Sequence, residues 1–264
     1  MKERVQKIIS QWGIASRRQA EKMILAGRVR LNGQRVDLGQ KADPKRDRLE
    51  VDGKLIKQRN RPEFVYLLLN KPLGVISTCH DPKGRKTAID LLPARLRRGH
   101  GIHPVGRLDA DSTGALLLSN DGAWTQRLTH PRHHLPKTYH VWVKGHPSES
   151  VLQLWREGIF LLGRKTLPAD VEILTSRRDR ALLKVVLYEG RNRQIRLVSQ
   201  QLGHETLELH RTAIGPVQLQ LPKEPMLPRG SVRALKKFEI NGISRSTKIE
   251  HLETRQKTVK ENLV

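Results

Sequence analysis

Apolar positions recur at helical spacing near the start of the chain, where Val5, Ile8, Ile9 and Trp12 share one face and Gly13 ends the run. Ser16 follows as a predicted N-cap, and Gln19 completes a capping box with it. The second helix turns Ala20, Met23 and Ile24 inward and stops at Gly27. A short strand, Arg28–Leu31, then meets Asn32-Gly33, a pair that closes tight hairpins. Further short strands are predicted at Leu49–Val51 and Leu55–Ile56, on either side of Asp52-Gly53. After a polar linker, Gln58–Glu63, the pattern changes. Phe64–Leu69 is apolar almost without a break, as a strand covered on both faces requires. Asn70, Lys71, Pro72 and Gly74 interrupt it before Val75–Thr78 resumes. Strands are expected at Ala115–Ser119, Thr138–Lys144, Val171–Thr175 and Ala181–Tyr188, and helices at Ala123–Thr129, Ser148–Glu157 and Arg193–Leu202.

Strands outnumber helices without alternating regularly with them, which favours α+β over a doubly wound α/β fold. The expected division is a small helix–helix–hairpin domain over residues 1–60 and a larger domain with a mixed, mainly antiparallel sheet over 61–240. Residues 241–264 turn polar and charged and read as a flexible or partly helical tail.

Charge narrows the class. Fifty Lys and Arg against 26 Asp and Glu leave a formal net charge of +24. A compact protein this basic repels itself unless a polyanion neutralises it, so nucleic acid is the expected partner, with an anionic membrane surface as the competitor. The apolar runs are strand-sized, no wide-faced basic amphipathic helix stands out, and the N-terminus lacks a signal-peptide core; a cytoplasmic protein is expected. The single cysteine, Cys79, rules out an internal disulfide and is expected to be buried and inert.

Through Asn60 there are 16 basic and 7 acidic side chains. Arg17 and Arg18 open a helix, where the macrodipole disfavours cations by a few tenths of a kcal/mol, roughly. Phosphates facing them would offset that; solvated surface arginines are the plain alternative. Arg28, Arg30 and Arg35 follow on the hairpin and enlarge the basic surface.

Three later passages carry candidate chemistry. In HPVGRLDADSTGALLLSNDG, His103–Gly122, Gly106 and Gly114 bracket a loop that presents Arg107, Asp109 and Asp111. A carboxylate there serves either as a backbone cap in a structural turn or as a nucleophile or base, and spacing alone does not choose. In YEGRNRQIRLVSQQLGH, Tyr188–His204, Arg191, Arg193 and Arg196 fall at a helix opening, so anions are expected nearby. Tyr139, in a strand with Val141 and Val143 on its face, is either core or a platform for a flipped base. His130, His133 and His134 lack supporting Cys or acidic partners, so no metal site is expected.

ASRRQAEKMILAGRVRLNG resembles the S-four-type RNA-binding domain. Four segments in order, NKPLG, PVGRLDADSTGALLLSNDG, KTYHV and EGRNRQIR, resemble the ribosomal-RNA pseudouridine synthases of the RsuA/RluB type, and LELHRTAIG fits a further segment of that family. Ala115 is a departure, since a larger aliphatic residue is usual there. The resemblance implies that Asp109 is the catalytic residue, that Tyr139 and Ile195 line the base pocket, and that Arg196 is the basic partner of the aspartate. A carboxylate beside a guanidinium keeps its charge when partly buried. Such an aspartate attacks the ribose or removes a sugar proton, the uracil detaches, rotates and rejoins through carbon 5, and no metal or other cofactor is needed.

Further substrate contacts are expected from Arg107, Arg191, Arg193, Asn70, Lys71 and Arg211, with Arg17, Arg18, Arg28 and Arg30 holding RNA farther away. The implied substrate is ribosomal RNA, more specifically of the large subunit, either naked or in an assembly intermediate, and the implied state is a monomer. A noncatalytic RNA-binding assembly factor on the same fold is the alternative, which the presence of Asp109, Tyr139 and Arg196 disfavours.

Overall fold

The computed structural model describes residues 2–57 and 61–245. Residues 58–60 of the expected linker and 246–264 of the expected tail lie outside the described residues. Two compact units divide the chain: Met1–Val65 with Leu92–His103 and Leu118–Gly122, and the remainder.

The smaller unit begins with β1 (Glu3–Arg4), α1 (Val5–Gln11) and α2 (Arg17–Leu25). Ser16 caps α2 as anticipated: its side chain accepts from the Gln19 N–H while the Gln19 side chain accepts from the Ser16 N–H. A four-stranded sheet follows, made of β2 (Val29–Leu31), β3 (Gln34–Arg35), β5 (Leu49–Val51) and β6 (Lys54–Leu55), while β4 (Lys41–Ala42) pairs with β1. Val5, Ile8, Ile9, Trp12, Ala20 and Ile24 join the inward residues of β2 and β5 in one core. At the linker end, the Arg61 guanidinium lies over the Trp12 and Phe64 rings. This unit also holds the short helix α3 (Ala94–Arg97).

The larger unit is built on β7 (Tyr66–Lys71), β8 (His103–Val105), β9 (Thr113–Ser119), α4 (Gly122–Thr129), β10 (Lys137–Lys144), α5 (Glu149–Glu157), the hairpin β11 (Phe160–Leu161) and β12 (Arg164–Lys165), β13 (Ala169–Arg177), β14 (Arg180–Leu187), α6 (Gln194–Gln201), β15 (Thr206–Ile214), β16 (Val217–Gln218) and β17 (Val232–Ala234). A nine-stranded sheet runs β13-β14-β10-β15-β9-β7-β17, with β16 beside β15 and β8 beside β9. β13, β14, β10 and β15 are antiparallel neighbours, whereas β15 and β9 run parallel. The mixed, mainly antiparallel α+β expectation therefore holds.

Alternation explains the antiparallel half. Tyr139, Val141 and Val143 of β10 and Ala181, Leu183, Val185 and Leu187 of β14 point into one core, which α6 covers with Ile195 and Val198. A second core gathers Leu68, Ala115, Leu117, Trp124 and Leu128. Ile243 belongs to it and is 1% exposed, because residues 237–245 form a last helix; the expected tail thus begins with packed helix.

Several expectations need correction. β7 runs through Asn70 and Lys71, which had been read as strand breakers; both are buried. Backbone carbonyls reward their polar ends, with Asn70 Nδ2 donating to Leu227 O at 2.7 Å and Lys71 Nζ to Val75 O at 2.7 Å. Val75–Thr78 forms no strand; Ile76 makes only an isolated bridge to Thr87. Cys79 is exposed. β15, central to the sheet, was not anticipated because Glu208, His210 and Arg211 interrupt its apolar pattern.

Candidate active site

The Gly106–Ser112 loop leaves β8 and returns into β9, whose first residues pair in parallel with β15. Backbone anchors hold it. Ser77 Oγ donates to Leu108 O at 2.7 Å and accepts from Leu108 N at 3.1 Å, and Gly74 N donates to Ala110 O at 2.8 Å. Arg211 of β15 donates from Nε to Ala115 O at 2.7 Å and from Nη1 to Arg107 O at 3.4 Å. Gly114 permits this closeness: with φ +109, it has Arg211 O only 2.2 Å from where a Cβ would sit.

Under the loop lies a cavity of about 330 Å³. Tyr139, Leu187, Ile195 and Leu209 form one wall, continuous with the core beneath β10 and β14. Leu128, Leu135 and Ile214 form another, drawn from the second core. Apolar walls of this kind suit the face of a planar base, which trades water for dispersion contacts. Asp109 stands among the lining residues with its side chain 38% exposed, reachable from solvent yet facing the cavity.

The cations divide by role. Arg193, the N-cap of α6, is in the left-handed conformation (φ 52). That backbone is costly for a residue with a Cβ, by about 1–2 kcal/mol, and such strain concentrates at functional sites. Its Nη1 lies 3.7 Å from Asp109 Oδ2 and 3.0 Å from Asp111 Oδ2. Arg196 was expected to partner Asp109. It instead ion-pairs with Asp111 at 3.3 Å and donates to the Asp111 carbonyl at 2.7 Å, and the guanidinium near Asp109 is that of Arg193. Burial pushes the Asp111 carboxyl up, but the Arg193 hydrogen bond and the Arg196 and Arg193 charges outweigh it and hold the group below the ordinary range. Asp111 is thus a clip between the loop and α6.

Arg191 lines the cavity, yet its guanidinium is spent on Glu189 Oε2, Arg164 O and Lys165 O, so it braces the rim and is a poor phosphate contact. Asn70 and Lys71 do not line the cavity, contrary to their expected substrate contacts; their polar ends are held by the carbonyls described above. Arg107 and Arg211 do line it. Arg211 is 4% exposed, its guanidinium carbon sits 5.9 Å from the Tyr139 ring centroid, and its buried Nη2 has no hydrogen-bond partner. A buried donor without a partner is costly, and this one belongs to a residue that lines the cavity.

Sequence reading missed two groups here. Lys137 lines the cavity, and burial followed by the Arg211 charge pushes its amine down to about 8. Ser77 is remote in sequence from the loop it clamps, so no local signal marks it. Among the described residues no three His, Cys, Asp or Glu side chains converge as a metal would require. His134, at the rim, bonds Tyr188 O. In the smaller unit, Arg17, Arg18 and Arg30 are exposed, while Arg28 is tied to Asp52 by two 2.7 Å bonds.

A helical-hairpin module with exposed arginines and a carboxylate at the edge of a base-sized apolar cavity define an enzyme that acts on a nucleobase within a polynucleotide. Comparison with known proteins places it more closely. Residues 65–201 match the family described as RNA pseudouridylate synthase, and residues 3–47 match the S4 domain. A ribosomal large subunit pseudouridine synthase B of Bacillus subtilis is 42% identical over 212 residues, covering 79% of this chain and 84% of that protein. An RNA pseudouridine synthase of Aquifex aeolicus, itself uncharacterised, is 40% identical across 83% of this chain and 86% of its own. A crystal structure described as a pseudouridylate synthase superposes with a TM-score of 0.64 at 32% identity, spanning 91% of this chain and 99% of the other. The chain belongs to the RNA pseudouridylate synthase family, with an S4 domain ahead of the synthase domain.

Proposed function

We infer that this protein isomerises a uridine of large-subunit ribosomal RNA to pseudouridine, with Asp109 as the acting carboxylate. The observation that carries the reading is Asp109 at the edge of the Tyr139–Ile195–Leu209 cavity, with the Arg193 guanidinium 3.7 Å away. The 42% identity to a large-subunit enzyme over most of both chains supports the choice of RNA.

The target base leaves its stack, at a cost of a few kcal/mol, roughly, which basic contacts to the backbone offset. Within the cavity its faces meet Tyr139 and the aliphatic wall. On binding, Arg211, which lines the cavity, turns its unpartnered Nη2 towards a uracil carbonyl, which would favour that base's edge over cytosine's amino group. Asp109 then attacks the ribose or removes a sugar proton. In either route the negative charge it loses or regains is balanced by Arg193. The detached uracil stays enclosed, rotates and bonds through carbon 5, so the product has the same atoms as the substrate and nothing is consumed. The protein acts as a monomer in the cytoplasm, its residues 1–60 gripping RNA while residues 61–240 catalyse; Arg17, Arg18 and Arg30 are the gripping contacts, and Arg107 contacts the strand beside the extruded nucleoside.

Asp109→Asn tests this directly. The variant keeps the shape of the site, so it should bind RNA with wild-type affinity while pseudouridine formation falls by at least about a thousandfold. Normal modification by the variant would remove Asp109 from its role. Mapping pseudouridines in ribosomal RNA from cells lacking the protein identifies the nucleotide.

A further inference from the structure

We propose that the β11–β12 hairpin is a second RNA contact of the synthase domain, which places Phe160 and Leu162 against bases beside the extruded uridine; this rests on the function inferred above. Phe160 is 69% exposed and Leu162 86% exposed, the latter at the hairpin's turn. Leu162 has φ 51 and Gly163 φ 79, the positive pair of a type I′ turn, where Asn or Gly fits without strain. A leucine there costs backbone energy and gains no burial within the fold. Neither the strain nor the exposure benefits the isolated chain.

The hairpin's placement supplies the reason. Register pairs Phe160 with Lys165 and Leu161 with Arg164. The carbonyls of Arg164 and Lys165 are two of the three acceptors of the Arg191 guanidinium, and Arg191 lines the cavity. A second tie runs from Leu167 N to Glu189 Oε1 at 3.0 Å, and Glu189 also lines the cavity. The hairpin is therefore bolted to the cavity's rim through its backbone and through Leu161 in the core, while Phe160, Leu162, Arg164 and Lys165 stay exposed. Arg164 and Lys165 are exposed on it, next to the apolar pair. An aromatic and an aliphatic side chain flanked by free cations match a nucleic-acid strand: bases to cover the apolar surface, phosphates to meet the charges. Extruding a uridine leaves its neighbours with unstacked faces, and an apolar surface close to the cavity would cover one of them. The chain's net charge of +24 favours that occupant over a protein partner.

The test uses the full chain and deproteinised ribosomal RNA from cells lacking this protein, with filter-binding affinity, product formation and melting temperature read for each variant. Phe160→Ser should weaken binding and raise KM by about tenfold, the scale of one lost base stack, with kcat within about twofold and an unchanged salt dependence. Leu162→Asn converts the turn to Asn-Gly, so it should melt no lower than wild type and still bind several-fold more weakly. That opposition of signs separates a contact from a structural role. Unchanged affinity in both variants, a loss confined to kcat, or a loss seen only with intact ribosomal subunits and not with naked RNA would overturn the proposal. Binding reads the hairpin whether or not product forms, whereas wild-type protein that makes no pseudouridine in this RNA would defeat the functional reading alone.

Discussion

At the residue scale, a hydroxyl distant in sequence anchors the backbone next to Asp109, the carboxylate proposed to act. Ser77 Oγ bonds both the N–H and the carbonyl of Leu108, so it clamps the peptide groups on either side of that residue, the second of which carries the Asp109 nitrogen. Ser77→Ala leaves that donor and acceptor unmet and lets the carboxylate drift; displacements near 1 Å cost about a hundredfold in rate. We expect kcat to fall by about ten- to a hundredfold with RNA affinity unchanged, and Ser77→Thr to restore most of it. Steady-state kinetics that instead show a KM effect would argue against a positioning role. Lys71 offers a different test. Burial, then the Arg211 charge, pushes its amine down to about 8, although Asp109 and Asp111 pull the other way. Its ordinary value is 10.5, so between pH 8 and 10.5 the unfolded chain holds a proton that the folded chain has released. Raising the pH through that window removes a penalty and stabilises the fold. Denaturant titrations across the window should show this contribution in wild type and its disappearance in Lys71→Met.

At the element scale, the parallel contact of β9 with β15 shapes the candidate site, since it brings Arg211 into hydrogen-bond reach of the loop that carries Asp109. A Cβ at Gly114 would meet Arg211 O at 2.2 Å from a backbone with φ +109. Gly114→Ala should therefore destabilise by about 3 kcal/mol or more, combining left-handed strain with overpacking, as urea denaturation would register. The capping box of α2 is a milder case. Ser16→Ala removes one of its two reciprocal bonds and should cost about 1 kcal/mol, measured the same way. Helix signals of this kind are written locally, which is why α1 and α2 were legible to within a residue. β10 and β14 were legible as well, through strict alternation. β15 was not, because its polar residues are bonded by partners distant in sequence: Arg211 to Ala115 O, His210 to Thr113.

For the whole molecule, charge governs encounter. Each phosphate that Arg17 or Arg18 neutralises contributes about one unit to the slope of log affinity against log salt. Replacing both with Glu should weaken binding to ribosomal RNA and flatten that slope by about two, while saturating RNA restores kcat. An unchanged slope would place RNA elsewhere.

The amino-acid sequence alone determined the helix ends, the alternating strands and the basic balance, because each is a matter of neighbours along the chain or of composition; it pointed to Asp109 and Tyr139 only through a family resemblance. Only tertiary structure decided which guanidinium faces which carboxylate. Arg193 and Arg196 look equivalent in GRNRQIR, and both ion-pair with Asp111, at 3.0 and 3.3 Å, but Arg193 also comes within 3.7 Å of Asp109. Likewise Asn70 and Lys71 resemble surface polar residues until the fold buries both, with Asn70 held by the distant Leu227 carbonyl and Lys71 turned back on the Val75 carbonyl four residues on. The physical reason is common to these cases: hydrogen bonds and ion pairs act over about 3–4 Å, and sequence separation does not report distances of that kind once the chain has folded.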